Sequence, residues 1–184
     1  WFTDITDASG VPALRHGEGV NAVDLDGDDL PELYLPCVRD QGRLLKNLGK
    51  GLFKDITDEA GLDQKGGVGA AIGDINGDGR PDIYIVRGAD PYVAPNLVYL
   101  QQADGSFRDA SQETGIAKET GGLTVTLADF NGDGKTDAFV PGWTEDRLYE
   151  NNGRGTLSNV SQKAGIAWPG RGWASLASDF NGDG

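Results

Sequence analysis

Short apolar runs separated by turn residues recur along this chain roughly every 50 residues. Each period opens with a run of small and apolar residues, continues through an acidic turn, and returns as a more hydrophobic run. The runs are short and bounded by Gly, Pro, Asn and Asp, a pattern typical of β-strands. We therefore predict first strands at 19–23, 68–73, 123–128 and 173–178.

The rest of each period is also predicted to form strands. Second strands are predicted at 33–35, 83–86 and 138–140, and third strands at 44–45, 97–100 and 147–149. A fourth strand follows a glycine-containing turn and begins the motif Phe-x-Asp-Ile-Thr or a variant of it. No segment keeps an apolar period of 3.6 residues, although 58–62 fits one helical turn. The pattern thus predicts an all-β chain.

The number of strands per repeat indicates the architecture. Four antiparallel strands in about 50 residues is the size of a β-propeller blade. Small residues such as Gly69, Ala70 and Ala71 suit a first strand, which lies near the crowded axis of a propeller. A β-solenoid is the alternative, but its repeats are usually shorter, at about 20–30 residues. We predict one propeller segment with repeat units 1–51, 52–105, 106–155 and an incomplete 156–184, about three and a half blades.

The acidic turns between first and second strands share one ligand pattern. Oxygen-bearing side chains stand at positions 1, 3, 5 and 9 of each turn, and a backbone carbonyl is available at position 7. We predict the following ligands: Asp24, Asp26, Asp28, Leu30 and Glu32 in loop 1; Asp74, Asn76, Asp78, Arg80 and Asp82 in loop 2; Asp129, Asn131, Asp133, Lys135 and Asp137 in loop 3; and Asp179, Asn181 and Asp183 in loop 4, which stops before position 9.

This donor set indicates calcium. Ca²⁺ takes six to eight oxygens at about 2.3–2.6 Å in a flexible geometry. Loop 1 departs from the others because Asp29 replaces glycine at position 6 and Glu32 replaces Asp at position 9. An EF-hand would need Glu at position 12 and a following helix, whereas Leu35 and Ile85 stand there in predicted strands. We predict three complete calcium sites and a fourth, truncated one.

The composition of the chain limits the classes of partner that it is expected to bind. With 29 acidic and 16 basic residues, the chain carries a formal charge of −13, which disfavours binding to nucleic acid. No run approaches the ~20 apolar residues of a membrane-spanning helix, so no membrane insertion is expected. The chain begins at Trp1 without a leader pattern, and we expect a mature or excised segment. Cys37, the only cysteine, is expected to be buried and cannot form an intrachain disulfide.

These motifs resemble a known family. The D-x-[DN]-G-D-G-x-x-D loops, each between a small-residue strand and a strand such as Asp-Ile-Tyr-Ile, resemble the FG-GAP/VCBS repeats of integrin α-subunit propellers and bacterial surface proteins. The turn Asn-x-Gly-x-Gly-x-Phe before Phe-x-Asp-Ile-Thr is similar to the ASPIC/UnbV and cartilage acidic protein group. The sequence departs from the family in lacking the literal Phe-Gly…Gly-Ala-Pro signature, with Gly-Val-Gly-Ala-Ala at 67–71 instead, and in having no ASPIC/UnbV tail.

The resemblance implies a propeller, commonly seven-bladed, that lies outside the cytoplasm and serves adhesion or ligand binding. The localisation expected from it is extracellular, either secreted or on the cell surface. An open stack of about three and a half blades would leave strand edges unpaired. We therefore expect either further blades or completion by identical chains.

Three functions compete at this point. The first is a non-enzymatic module for protein interaction, adhesion or assembly. The second is a lectin in which Trp143, Trp168 or Trp173 stacks on a sugar. The third is an enzyme or an accessory domain of a secreted enzyme, but His16 is the only histidine and no nucleophile motif accompanies it. We predict a binding module with no catalytic residues, whose protein or glycan ligand the sequence does not identify.

Overall fold

A computed structural model describes residues 1–14, 17, 19–63, 65–88, 94–118, 120–142, 144–167 and 172–180. Within these residues the secondary structure is almost entirely β. A four-residue helix, α1 (Thr6–Ser9), and a 3₁₀ turn (Ile116–Lys118) accompany the strands. The strands are β1 (Asn21–Val23), β2 (Glu32–Leu35), β3 (Arg43–Asn47), β4 (Phe53–Asp55), β5 (Gly69–Gly73), β6 (Asp82–Val86), β7 (Leu97–Gln101), β8 (Phe107–Asp109), β9 (Thr126–Ala128), β10 (Asp137–Val140), β11 (Arg147–Asn151) and β12 (Leu157–Asn159).

The strands form three separate four-stranded sheets, each in simple sequence order. The orders are β1-β2-β3-β4, β5-β6-β7-β8 and β9-β10-β11-β12, with every neighbouring pair antiparallel. We call them blades 1, 2 and 3. The predicted fold class is confirmed: these are four-stranded β-propeller blades with an acidic loop between first and second strands, and they do not close into a ring.

The first strand predicted for the fourth repeat is wrong. Residues 173–178 have no strand structure, although Thr126 of β9 contacts Ser175 through a 3.1 Å hydrogen bond from its hydroxyl to the Ser175 carbonyl. A strand is defined by ladder hydrogen bonds, and no described strand pairs with residues 173–178. The segment lies against blade 3 but forms no ladder.

The hydrophobic core lies between blades. One apolar cluster joins blades 1 and 2, and a second joins blades 2 and 3. Strand β6 is apolar from Ile83 to Val86 because both of its faces are buried. Ile83 and Ile85 face the first cluster, whereas Tyr84 and Val86 face the second. Because successive side chains point to opposite faces, a middle blade buries both. Cys37 is buried, as predicted.

The recurring segment Asp-x-Thr, Asp-x-Ser or Asn-x-Ser forms a corner where the fourth strand ends. In blade 1, Asp55 Oδ1 accepts hydrogen bonds from the amide and hydroxyl of Thr57 at 3.0 and 2.6 Å. The Thr57 hydroxyl oxygen in turn accepts the Leu44 amide of β3 at 2.9 Å. Ser111 and Ser161 repeat this corner in blades 2 and 3. The motif therefore satisfies a buried amide of the third strand.

Replacing the corner hydroxyl should destabilise the fold. Thr57→Val keeps the shape but leaves the buried Leu44 amide without its acceptor, which costs about 1–3 kcal/mol. The matched control is Thr6→Val, because Thr6 makes the same bond to Asp4 but is exposed. We expect chemical denaturation to show a loss for Thr57→Val and a change within about 0.5 kcal/mol for Thr6→Val. Equal effects of the two substitutions would contradict this role.

Candidate metal centre

The aspartate at position 1 organises each acidic loop. In loop 2, Asp74 Oδ1 accepts the amides of Gly77 at 2.7 Å and Asp78 at 3.1 Å. Its Oδ2 accepts the amide of Gly79 at 2.8 Å. Asp24 and Asp129 make the same three bonds in loops 1 and 3. Three copies of one amide cradle show that the aligned sequence motif is also one structural motif.

Position 6 requires a left-handed backbone. Asp29 has φ of 66° there, and Gly79 and Gly134 have 84° and 79°. Asp is among the few residues that adopt this region with modest strain, and glycine adopts it freely. The replacement of glycine by Asp29 therefore leaves the turn intact.

Loop 1 gathers three carboxylates. One oxygen each from Asp24, Asp26 and Asp28 lies within 4.8 Å of the others, with Asp24 half-buried and the other two exposed. Two oxygens on one calcium ion lie at most about 5 Å apart, given Ca–O distances of about 2.5 Å. The spacing and the hard oxygen chemistry both fit a calcium ion. The structure therefore brings together the first three predicted side-chain ligands of loop 1.

Loops 2 and 3 carry an amide at position 3. Asn76 Oδ1 accepts the Asp78 amide at 3.0 Å, and its Nδ2 donates to Asp78 Oδ2 at 2.8 Å. In loop 3, Asn131 Oδ1 accepts the Asp133 amide at 2.9 Å. Positions 3 and 5 therefore adjoin one another in these loops as well, with one formal charge fewer than in loop 1.

A cationic side chain contacts the position-5 carboxylate in loops 1, 2 and 3, the loops whose position 5 the structure describes. Lys46 of β3 reaches Asp28 at 3.3 Å and also pairs with Asp26. Arg80 pairs with Asp78, and Lys135 Nζ lies 2.9 Å from Asp133 Oδ2. Arg80 and Lys135 were predicted only as carbonyl ligands, so the ion pairs of their side chains were missed. The signal was in the sequence, because a basic residue stands at position 7 of both loops. Lys46 was missed because only the strand pairing brings it to loop 1.

The position-9 acids are buried and bonded by backbone amides. Asp82 Oδ2 accepts the amide of Ile75 at 2.9 Å, and its Oδ1 accepts the amide of Gln101 at 2.8 Å. Glu32 and Asp137 hold the equivalent amides in loops 1 and 3. Each acid therefore joins its own loop to the third strand of its blade. Its place in a calcium shell stays a prediction.

Burial and backbone bonds shift the pKa values of these acids in opposite directions. Burial raises the pKa of Asp82 to about 6, against the opposing effect of the amides that it accepts. Burial likewise raises the pKa of Asp137. Desolvation acts to raise the pKa of Asp24, but its amide cradle outweighs it and the pKa is lowered. The Gly134 amide is the main cause of the lowered pKa of Asp129. Asp24 and Asp129 are thus held ionised.

Several predicted residues lie outside the part of the chain that the structure describes. Asp179 of loop 4 is described, but Asn181 and Asp183 are not. His16, Trp143 and Trp168 also lie outside the described residues, whereas Trp173 is described and exposed. The carbonyls of Leu30, Arg80 and Lys135 stay predicted ligands. Among the described residues, no helix combines the length and the hydrophobicity needed to cross a bilayer.

The sheets and their loops define a propeller-like module built from repeats with acidic loops, and comparison with known families agrees. The FG-GAP-like repeat matches residues 24–85, 87–140 and 129–184. The chain belongs to the FG-GAP-like repeat family. It is also similar to cartilage acidic protein 1, in line with the resemblance seen in the sequence.

Human cartilage acidic protein 1 is 29% identical over 161 residues, which are 79% of this chain and 24% of that protein. The mouse protein matches with the same identity and coverage. The Xenopus tropicalis protein is 35% identical over 101 residues, covering 53% of this chain and 15% of that protein. The chain therefore spans about a quarter of the human and mouse relatives.

Among solved structures, an Agrocybe aegerita lectin described as specifically recognising non-reducing terminal N-acetylglucosamine covers 76% of this chain and 36% of its own. Its identity is 23% and its TM-score 0.45. This likeness carries no functional argument here.

Proposed function

We propose that this segment is a calcium-stabilised β-propeller module that binds a partner outside the cytoplasm and catalyses no reaction itself. The observation that carries the proposal is the cluster of Asp24, Asp26 and Asp28 oxygens within 4.8 Å of one another, in a loop architecture that recurs in three blades. Hard cations bind such oxygen sets. The other described loops would use the same positions, with Asn at position 3.

The loops suit a protein that lies outside the cell. Extracellular calcium modules bind with dissociation constants of about 10⁻⁴–10⁻³ M, and exposed loops with one neutralising cation each fit such modest affinity. The relatives are named acidic proteins of cartilage, and this chain is also acidic, with a net charge of −13. A rigid stack of blades with exposed loops is suited to presenting a binding surface.

Three of the loop acids are poorly suited to act as general acids. The lowered pKa values of Asp24, Asp129 and Asp133 keep these groups ionised, and an ionised carboxylate cannot act as a general acid. For Asp133, the hydrogen bond from Lys135 is the first cause. Whether the partner is a protein or a glycan stays a prediction, which a glycan array would distinguish.

Isothermal titration calorimetry of the metal-free chain with calcium tests the proposal. We expect three ions bound, with dissociation constants of about 10⁻⁴–10⁻³ M, and weaker binding of magnesium, which demands a stricter octahedral geometry. Asp78→Ala should remove one of the three sites. Absence of calcium binding, or a stoichiometry that Asp78→Ala leaves unchanged, would overturn the proposal.

A further inference from the structure

The backbone of the residue at position 2 of loops 1 and 2 is held from two sides, through its amide and through its carbonyl. On its amide side, Leu25 donates to Glu32 Oε2 at 2.9 Å, and Ile75 donates to Asp82 Oδ2 at 2.9 Å. Both acceptors are the buried position-9 acids of the same loop. The amide of position 2 is therefore fixed by a predicted calcium ligand.

The carbonyl side of the same residue is held by the next blade. Gln101 of blade 2 donates its carboxamide to the Leu25 carbonyl of blade 1 at 2.8 Å. Asn151 of blade 3 donates to the Ile75 carbonyl of blade 2 at 2.7 Å. Each carboxamide residue is 4% exposed, so water does not compete for these bonds. Each pair is 76 residues apart in the chain, and the contact repeats from one blade boundary to the next.

The backbone of each carboxamide residue returns to the acid of its own blade. Gln101 donates its amide to Asp82 Oδ1 at 2.8 Å, and Asn151 donates its amide to Asp137 Oδ1 at 2.8 Å. The bonds therefore join end to end into a buried relay across three blades. In order, the relay runs through Glu32, Leu25, Gln101, Asp82, Ile75, Asn151 and Asp137.

We propose that this relay couples the metal loops, so that calcium held at one loop raises the calcium affinity of the neighbouring loop. The inference rests on the proposed function. A carboxylate fixed as a ligand at Asp82 holds the Gln101 amide, which positions its carboxamide on the Leu25 carbonyl. Leu25 in turn positions Glu32 of loop 1. Buried hydrogen-bonded chains of this kind act as a unit, and coupling between sites is reciprocal.

A thermodynamic cycle on loops 1 and 2 tests the coupling. Asp133→Ala disables loop 3 in every protein compared, so calorimetry sees only the two remaining loops. Adding Asp78→Ala leaves loop 1 alone, and adding Asp28→Ala instead leaves loop 2 alone. The coupling factor is the product of the two association constants with both loops intact, divided by the product of the two isolated constants. We expect a factor of about five or more.

Gln101→Met should reduce the coupling factor to one, because methionine fills the space without donating to Leu25. The matched control is Gln102→Met, since Gln102 donates to the Leu100 carbonyl of its own blade. That variant should keep the factor of the parent. Thermal unfolding in EGTA verifies that each variant is folded. If Gln101→Met fails to fold, Asn151→Leu measured on loops 2 and 3, with loop 1 disabled by Asp28→Ala, replaces it.

Hydrogen exchange gives a second readout. With loop 2 alone intact, calcium should slow exchange of the Leu25 amide in loop 1, and Gln101→Met should abolish the slowing. A coupling factor of one in the protein that retains Gln101 would overturn the relay. A coupling factor that Gln101→Met leaves unchanged would overturn it as well. Absence of calcium binding at the isolated loops would instead overturn the proposed function, and the relay's coupling with it.

Discussion

Withdrawing calcium with EGTA should lower the thermal unfolding midpoint of this chain by at least about 8 °C relative to a solution containing about 10 mM calcium. A ligand at ten to a hundred times its dissociation constant stabilises the folded state by about 1.4–2.7 kcal/mol per site. Three such sites give about 4–8 kcal/mol, and each kcal/mol moves the midpoint by about 2–4 °C at this chain length. Without the ion, the acids of each loop repel one another.

Single substitutions test whether the calcium-dependent shift in the unfolding midpoint arises from the acidic loops. Asp78→Ala should remove at least about a third of the calcium-dependent increase, because it disables one of three sites and removes any coupling of that site to its neighbours. Glu113→Ala is the matched control, since Glu113 is an exposed acid paired with Arg108 outside the loops. It should leave the increase unchanged. Differential scanning calorimetry with and without EGTA measures all three proteins. An unfolding midpoint indifferent to calcium would count against calcium as the stabilising ligand.

Gly69→Ala should destabilise the chain through a steric clash between blades. A Cβ on Gly69 would lie 2.6 Å from the Leu123 carbonyl oxygen and 2.9 Å from the Thr124 Cα at the entry to blade 3. Both atoms belong to the backbone, so relief requires the blades to move apart. Overpacking of this kind costs about 1–3 kcal/mol, or roughly 2–12 °C in the unfolding midpoint.

The repeat supplies a matched control for this substitution. Gly19 precedes Asp24 by the same interval at which Gly69 precedes Asp74, yet a Cβ there meets no described atom within 4 Å. Gly19→Ala should therefore be neutral or slightly stabilising, because alanine restricts the unfolded chain. Thermal unfolding of both variants in calcium measures the difference. Equal midpoints would mean that β5 does not pack against blade 3 as closely as the structure shows.

The blades and their loops could be predicted from the sequence because both depend on local pattern. The strand content follows from short apolar runs between turn residues, and the strands found at 69–73 and 97–101 lie within a residue of those expected. The loop follows from the alternation of oxygen donors and from the residue at position 6. The predicted strand at 173–178 was wrong for a non-local reason, because a β-ladder needs a second strand.

The contacts between blades could not be predicted in the same way. Lys46 reaches Asp28, and Gln101 reaches Leu25, only because the strand register and the stacking of blades bring distant residues together. The hydroxyl of Thr57 belonged to a recognised landmark, but its acceptor role requires the position of Leu44 on the neighbouring strand. A single sequence carries the pattern of each repeat and does not show which atoms meet between repeats.

The side chains around Leu25 and Ile75 make the order of the blades specific. Leu25 lies between the longer acid Glu32 and the longer amide Gln101, whereas Ile75 lies between the shorter Asp82 and the shorter Asn151. If blade 2 were deleted, Asn151 would face the Leu25 carbonyl one methylene short of its acceptor. We therefore expect that the repeats of this chain are not interchangeable, and that shuffled versions need the acid and its neighbour's amide exchanged together.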